Sequence, residues 1–125
     1  ASISLLVGAV SILNTMYTSV TERTSEIGVM KAIGAKKRQI LAIFLLESSM
    51  VGVAGGLLGL VLGAGLAELA SIAATRLIDA SLQPIIPVWL AAGAILFSAG
   101  LGAVSGILPA RRAANLSPVD ALREE

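Results

Sequence analysis

Three stretches of this sequence run almost without charge for longer than a helix of a soluble protein stays apolar. Residues 1–20 (ASISLLVGAVSILNTMYTSV) carry none, residues 40–74 carry only Glu47 and Glu68, and residues 85–108 carry none. About 20 apolar residues rising about 1.5 Å each cross a hydrocarbon core about 30 Å thick. All three runs meet that length. The second exceeds one crossing and is expected to tilt or to project from the bilayer at its far end. Composition agrees: 56% of the 125 residues are hydrophobic and 14% charged, with a mean hydropathy of +0.91, whereas a soluble domain carries about 25% charged residues. The first run lacks the basic leader of a signal peptide, and residues 17–23 do not resemble a small-residue cleavage site. Because the chain opens directly inside an apolar run, it is expected to be a fragment or the tail of a longer protein. The fold class expected is all-α: a membrane bundle of three spanning helices, about 1–20, 40–74 and 85–108. A connecting segment (21–38) and a tail (109–125) complete it.

Several kinds of chemistry are excluded at once. The chain has neither cysteine nor histidine, which removes disulfides, thiol nucleophiles, haem attachment and nearly all zinc sites. No metal site and no cofactor are expected. No G-x-x-x-x-G-K-[ST] phosphate loop is present, so the chain does not bind ATP by that motif. No catalytic constellation is visible, and an enzyme is not expected. Nothing in the sequence points to nucleic acid.

The net charge of +1 says little, but its distribution is informative. Arg23, Lys31, Lys36, Lys37 and Arg38 lie in the first connection, and Arg111, Arg112 and Arg123 follow the third run. Only Arg76 lies in the second connection, beside Asp79. Three crossings place the first connection and the tail on one side, and the positive-inside rule makes that side cytoplasmic. Tyr17 and Trp89 fall where interfacial aromatics belong.

The first connection reads TERTSEIGVMKAIGAKKRQI. Ile27, Met30 and Ile33 recur every three residues, one stripe of a short helix, and Gly34 offers its stop. It is expected to lie against or just below the cytoplasmic face, with residues 36–38 as a basic collar for lipid headgroups. Glycines recur every fourth residue in the second run, at Gly55, Gly59 and Gly63 and again at Gly52 and Gly56. The third run repeats the device with Ser98, Gly102 and Gly106. Such faces let helices approach closely in lipid, either within the chain or between copies. Two polar residues lie inside the runs. Asn14 is expected to make an interhelical hydrogen bond. Glu47 is a functional candidate by its position, or pairs with Arg111 or Arg112. Pro109 is expected to end the third run. In NLSPVDAL, Ser117 and Pro118 resemble a helix start, with Leu116, Val119 and Leu122 as an apolar stripe.

The segments SVTERTSEIGVMKAIGAKKRQIL, FLLESSMVGVAGGLLGLVLG and PARRAANLSPVDALREE, in this order, closely resemble the C-terminal membrane half of MacB/FtsX-type ABC transporter permeases. ERTSEIGVMKAIGA is the most specific block. The resemblance implies a dimer working with an ABC-type ATP-binding subunit or domain in a lipid bilayer, the cell membrane, with an accessory extracytoplasmic protein as a further possible partner. It implies that the first connection is a coupling helix seated on the ATPase, with Glu22, Arg23, Glu26, Gly28, Lys31, Gly34 and Ala35 as its candidate residues. Members carry a further membrane helix and a large extracytoplasmic domain that this chain does not match, so substrate recognition is undetermined. The alternatives are a cell-division or lipoprotein-releasing relative that transmits motion without moving a solute through a pore, and a stand-alone membrane protein that self-assembles through its glycine faces.

Overall fold

The computed structural model describes residues 2–78 and 84–117. They form four helices: α1 (Ser2–Glu22), α2 (Thr24–Ala32), α3 (Lys37–Ile78) and α4 (Val88–Asn115). Among the described residues there is no strand, and α1, α3 and α4 are each long and apolar enough to cross a membrane. The described residues therefore form the expected all-α bundle, with three helices of spanning length. The 42 residues of α3 make a rod about 63 Å long, roughly twice the thickness of the hydrocarbon core.

Arg23 alone separates α1 from α2, and the hydrogen-bond ladder passes through it. Its N–H donates to the Ser19 carbonyl at 3.1 Å, and its own carbonyl accepts from Ile27 N–H at 3.0 Å. Glu22, at the head of the expected connection, is thus the last residue of α1. The exit from α2 is built on Gly34, whose φ of 102° lies in the left-handed region that glycine enters without a Cβ penalty. Gly34 N–H donates to the Lys31 carbonyl at 3.0 Å and Ala35 N–H to the Met30 carbonyl at 2.9 Å, the paired bonds of a Schellman stop. The chain re-enters helix at once. Gln39 Oε1 accepts from Lys36 N–H at 2.8 Å, satisfying an amide just ahead of α3 as the glutamine of a capping box does.

Pro109 does not end the third helix, as the sequence predicts; α4 runs through it to Asn115. Proline withholds one N–H, here from the Ser105 carbonyl, and removes one rung. Ser105, Gly106, Pro109, Ala110 and Ala113 are all buried, so packing on both sides holds the helix across the gap. The core gathers at this same end. Met16 and Val20 of α1, Ile27 of α2, Ile40 and Phe44 of α3, and Ala110, Ala113 and Ala114 of α4 pack together. Elsewhere large apolar side chains such as Leu6, Val10, Leu62, Leu66, Leu96 and Phe97 are exposed, as lipid-facing residues are.

Helices α3 and α4 run antiparallel and touch backbone to backbone through their glycines. A Cβ built at Gly52 would lie 2.2 Å from the Ser98 carbonyl oxygen, and one at Gly102 would lie 2.3 Å from the Ser48 carbonyl oxygen. Gly56 faces the Ser98 side chain, and Gly106 makes room for the hydroxyl of Ser48, which is fully buried and donates to the Leu45 carbonyl at 3.0 Å. The other glycines of the ladder behave differently. Nothing lies within 4 Å of a Cβ built at Gly55, Gly59 or Gly63. Beyond Gly56 the two helices part, leaving a groove of about 390 Å³ lined by Gly55, Gly59, Gly63, Ile86, Leu90 and Ala94 among others.

Candidate functional site

Nearly all the charge of the described residues sits at the core end of the bundle, where α1 ends, α2 lies, α3 begins and α4 ends. Three contacts tie these termini together. Lys31 Nζ donates to the Leu116 carbonyl, Lys37 Nζ donates to Asn115 Oδ1 at 3.2 Å, and the Arg112 guanidinium stacks 4.7 Å over the Tyr17 ring. The first connection and the end of α4 therefore share one end, as the charge pattern requires. Arg76, near the far end of α3, is the one cation of the described residues away from it.

Helix α2 has two unlike faces. Inward, Ile27 and Gly28 are buried, and Met30 and Ala35 pack on the core. Lys31 is turned toward the end of α4, where burial, and then the charge of Lys37, hold its ammonium below the usual lysine range. Outward, Glu22, Ser25, Glu26, Val29, Ala32, Ile33 and Gly34 are exposed. Ile33 does not complete the apolar stripe of Ile27 and Met30; it is 82% exposed, because the helix ends at Ala32 and Ile33 already belongs to the stop. The outer face thus pairs two carboxylates, Glu22 and Glu26, with two aliphatic side chains, Val29 and Ile33. The spacing 22, 26, 29, 33 was present in the sequence, but the every-third-residue stripe hid Val29.

The candidate coupling residues divide accordingly. Glu22, Glu26 and Gly34 face out. Gly28, Lys31 and Ala35 face in. Arg23 stands at the joint between α1 and α2 and bridges two acids: its Nε lies 3.4 Å from Glu26 Oε2, and its Nη1 lies 3.4 Å from Glu47 Oε2. Glu47 thus pairs with Arg23 and not with Arg111 or Arg112, since Arg112 is engaged with Tyr17. Among the described residues Asn14 makes no interhelical bond of the kind expected. It is exposed on the side of α1 opposite buried Met16 and Val20, together with Ser11, Thr15 and Thr18. Helix-start residue Pro118 and stripe residues Val119 and Leu122 lie outside the described residues; Leu116, inside them, packs on the core.

Among the described residues no cluster of acids could hold a metal ion. The site offers instead a surface: a short helix fixed by its inner face, presenting acids and aliphatics on its outer one.

Comparison with known proteins gives this surface its context. A family model described as FtsX-like permease C-terminal matches residues 1–118. An uncharacterized ABC transporter permease of Methanocaldococcus jannaschii is 46% identical over the whole chain, which spans 31% of that protein. The uncharacterized ABC transporter permease YknZ of Bacillus subtilis is 45% identical, with 30% of its length covered. A macrolide export ATP-binding/permease protein MacB of Bdellovibrio bacteriovorus is 46% identical, with 18% covered. The chain therefore spans about a third or less of the curated relatives it matches.

Proposed function

Because the chain belongs to the FtsX-like permease C-terminal family, we propose that it is the membrane-spanning part of an ABC transporter permease that receives motion from an ATP-binding partner through the outer face of α2. One observation carries this reading. A nine-residue helix is fixed to the ends of the spanning helices, yet leaves Glu22, Glu26, Val29 and Ile33 exposed on one side. Carboxylates make charge-assisted bonds to a partner's cations, and aliphatics beside them supply the apolar contact of an interface centre. The residues facing in position the helix; those facing out meet the partner. Hydrolysis belongs to that partner, and the role of this chain is mechanical. The polar end is cytoplasmic, the chain is multi-pass, and the membrane is the cell membrane. A second permease copy would seat in the groove lined by Gly55, Gly59 and Gly63. An accessory extracytoplasmic protein would meet the opposite end.

The test compares variants in the full-length permease. Glu26→Lys and Ile33→Asp should weaken binding of the ATP-binding partner, since breaking a buried charged contact costs about 2–5 kcal/mol. Arg38→Gln, exposed on the basic collar, should leave binding unchanged. Affinity is measured directly on purified components in lipid nanodiscs. Unaltered binding by both outer-face variants, with loss in Arg38→Gln, would make the segment a lipid anchor.

A further inference from the structure

Two cations of the first connection, Arg23 and Lys31, are engaged by other helices of the chain. Arg23 reaches both carboxylate oxygens of Glu47, at 3.5 and 3.4 Å, across 24 positions of sequence, while also holding Glu26 in the first turn of α2. Both ion pairs formed among the described residues use this one guanidinium. Glu47 lies about 15 Å along α3 from its start, so the link ties the head of α2 to the body of that helix. Lys31, near the tail of α2, donates to the Leu116 carbonyl at the end of α4, where helix carbonyls have no partner of their own and a cation is favoured. Lys37 closes the triangle by donating from α3 to Asn115.

We propose that Arg23 and Lys31 are positioning residues that fasten α2 at its two ends to α3 and α4 separately, so that a displacement of α2 reaches both spanning helices. The apolar cluster that Ile27 shares with Ile40 and Phe44 keeps α2 on the bundle, but such packing is non-directional. Charge-assisted bonds at fixed geometry carry direction. The inference rests on the coupling role of α2 and reassigns two residues within it: neither Arg23 nor Lys31 meets the ATP-binding partner directly. An ion pair this exposed contributes little to folding, so its removal leaves an assembled protein in which transmission can be measured.

The experiment uses the full-length permease with its ATP-binding partner in nanodiscs, in a cysteine-free background with one cysteine placed at Ala70 on the outer half of α3. Two quantities are read: affinity for the partner, and the difference in maleimide labelling rate of that cysteine with and without ATP. Arg23→Gln and Lys31→Gln should each bind within about fivefold of wild type and lose most of the ATP-dependent difference. Arg23→Glu should lose it too, and the double variant Arg23→Glu/Glu47→Arg should recover it, a rescue that a merely structural role would not give. Retention of the full difference by both glutamine variants overturns the proposal. So does loss of affinity as large as that of Glu26→Lys, which would put the two cations on the partner's side. If wild type shows no ATP-dependent difference while Glu26→Lys abolishes binding, the fastening role fails and the docking face stands. If Glu26→Lys binds normally, the docking face itself has failed.

Discussion

A methyl group added at Gly52 and one added at Gly55 should act with opposite sign, although the two positions are less than one helical turn apart. At Gly52 the new Cβ would sit 2.2 Å from the Ser98 carbonyl oxygen, 2.9 Å from its carbon and 3.1 Å from Ala99 Cα. An ordinary carbon–oxygen contact is about 3.3–3.6 Å, so α3 and α4 would need to part by roughly 1 Å. All three obstructing atoms are backbone, and no rotamer change can clear them. Overpacking of this kind costs about 1–3 kcal/mol, and the geometry points to the upper part of that range. Against it stands the gain of about 1 kcal/mol when alanine replaces glycine within a helix. Gly52→Ala should therefore destabilise by about 1–2 kcal/mol. At Gly55 nothing lies within 4 Å, only the helix term operates, and Gly55→Ala should be neutral or stabilising by up to about 1 kcal/mol. Thermal stability of the purified protein in mild detergent compares the two. Gly102→Ala and Gly106→Ala refine the test. The first meets the Ser48 carbonyl oxygen and the second the Ser48 side chain, so Ser48→Gly should relieve Gly106→Ala and not Gly102→Ala. Equal shifts for Gly52→Ala and Gly55→Ala would refute the backbone contact on which the reasoning stands.

The remaining predictions are briefer. A cysteine at Lys37 should resist an impermeant maleimide applied outside intact cells while one at Ile85 reacts, because the positive-inside rule assigns the cation-rich end to the cytoplasm; the reverse pattern would invert the orientation. Gly34→Ala should destabilise the first connection by about 1–2 kcal/mol through its left-handed φ, with Gly34→Asn milder, and equal thermal stability of all three proteins would show that the turn can relax. Gly59→Leu should leave the α3–α4 pair folded, since open space surrounds that position, yet shift the oligomer seen by native mass spectrometry. An unchanged oligomer would remove the second copy from that groove.

The spans were legible because run length and absence of charge are one-dimensional properties that a bilayer reads directly. The turn at Gly34 was equally plain, since a glycine after a short periodic segment is a local signal. What escaped were facts of three-dimensional register. A ladder of glycines every four residues marks a face, but it does not say at which depth the facing helix turns away, so Gly52 and Gly59 look alike in sequence and differ in space. Pro109 signals a stop only when no packing compensates for its missing donor; buried neighbours on both sides supply that here. The partner of Glu47 could not be read because Arg23, 24 positions earlier, comes within reach only through the near-continuous passage of α1 into α2. The two faces of α2 were blurred for a related reason: seven of its residues and flanks seemed equally able to meet a partner until burial divided them.

The length of α3, set against the place where it is gripped, has a mechanical consequence. Close contact with α4 centres near Gly52, leaving about 22 Å of rod on the side of α2 and about 39 Å on the other. A rigid rod pivoting there is a lever of unequal arms. A tilt of one degree moves its short end by roughly 0.4 Å and its long end by roughly 0.7 Å at the helical rise that sets these arms. Under the proposed coupling role, a small thrust at the polar end would emerge nearly doubled in travel at the far one, and weaker in force by the same ratio. Beyond Gly56 the gap between α3 and α4 widens, so the long arm leaves its grip on α4 there.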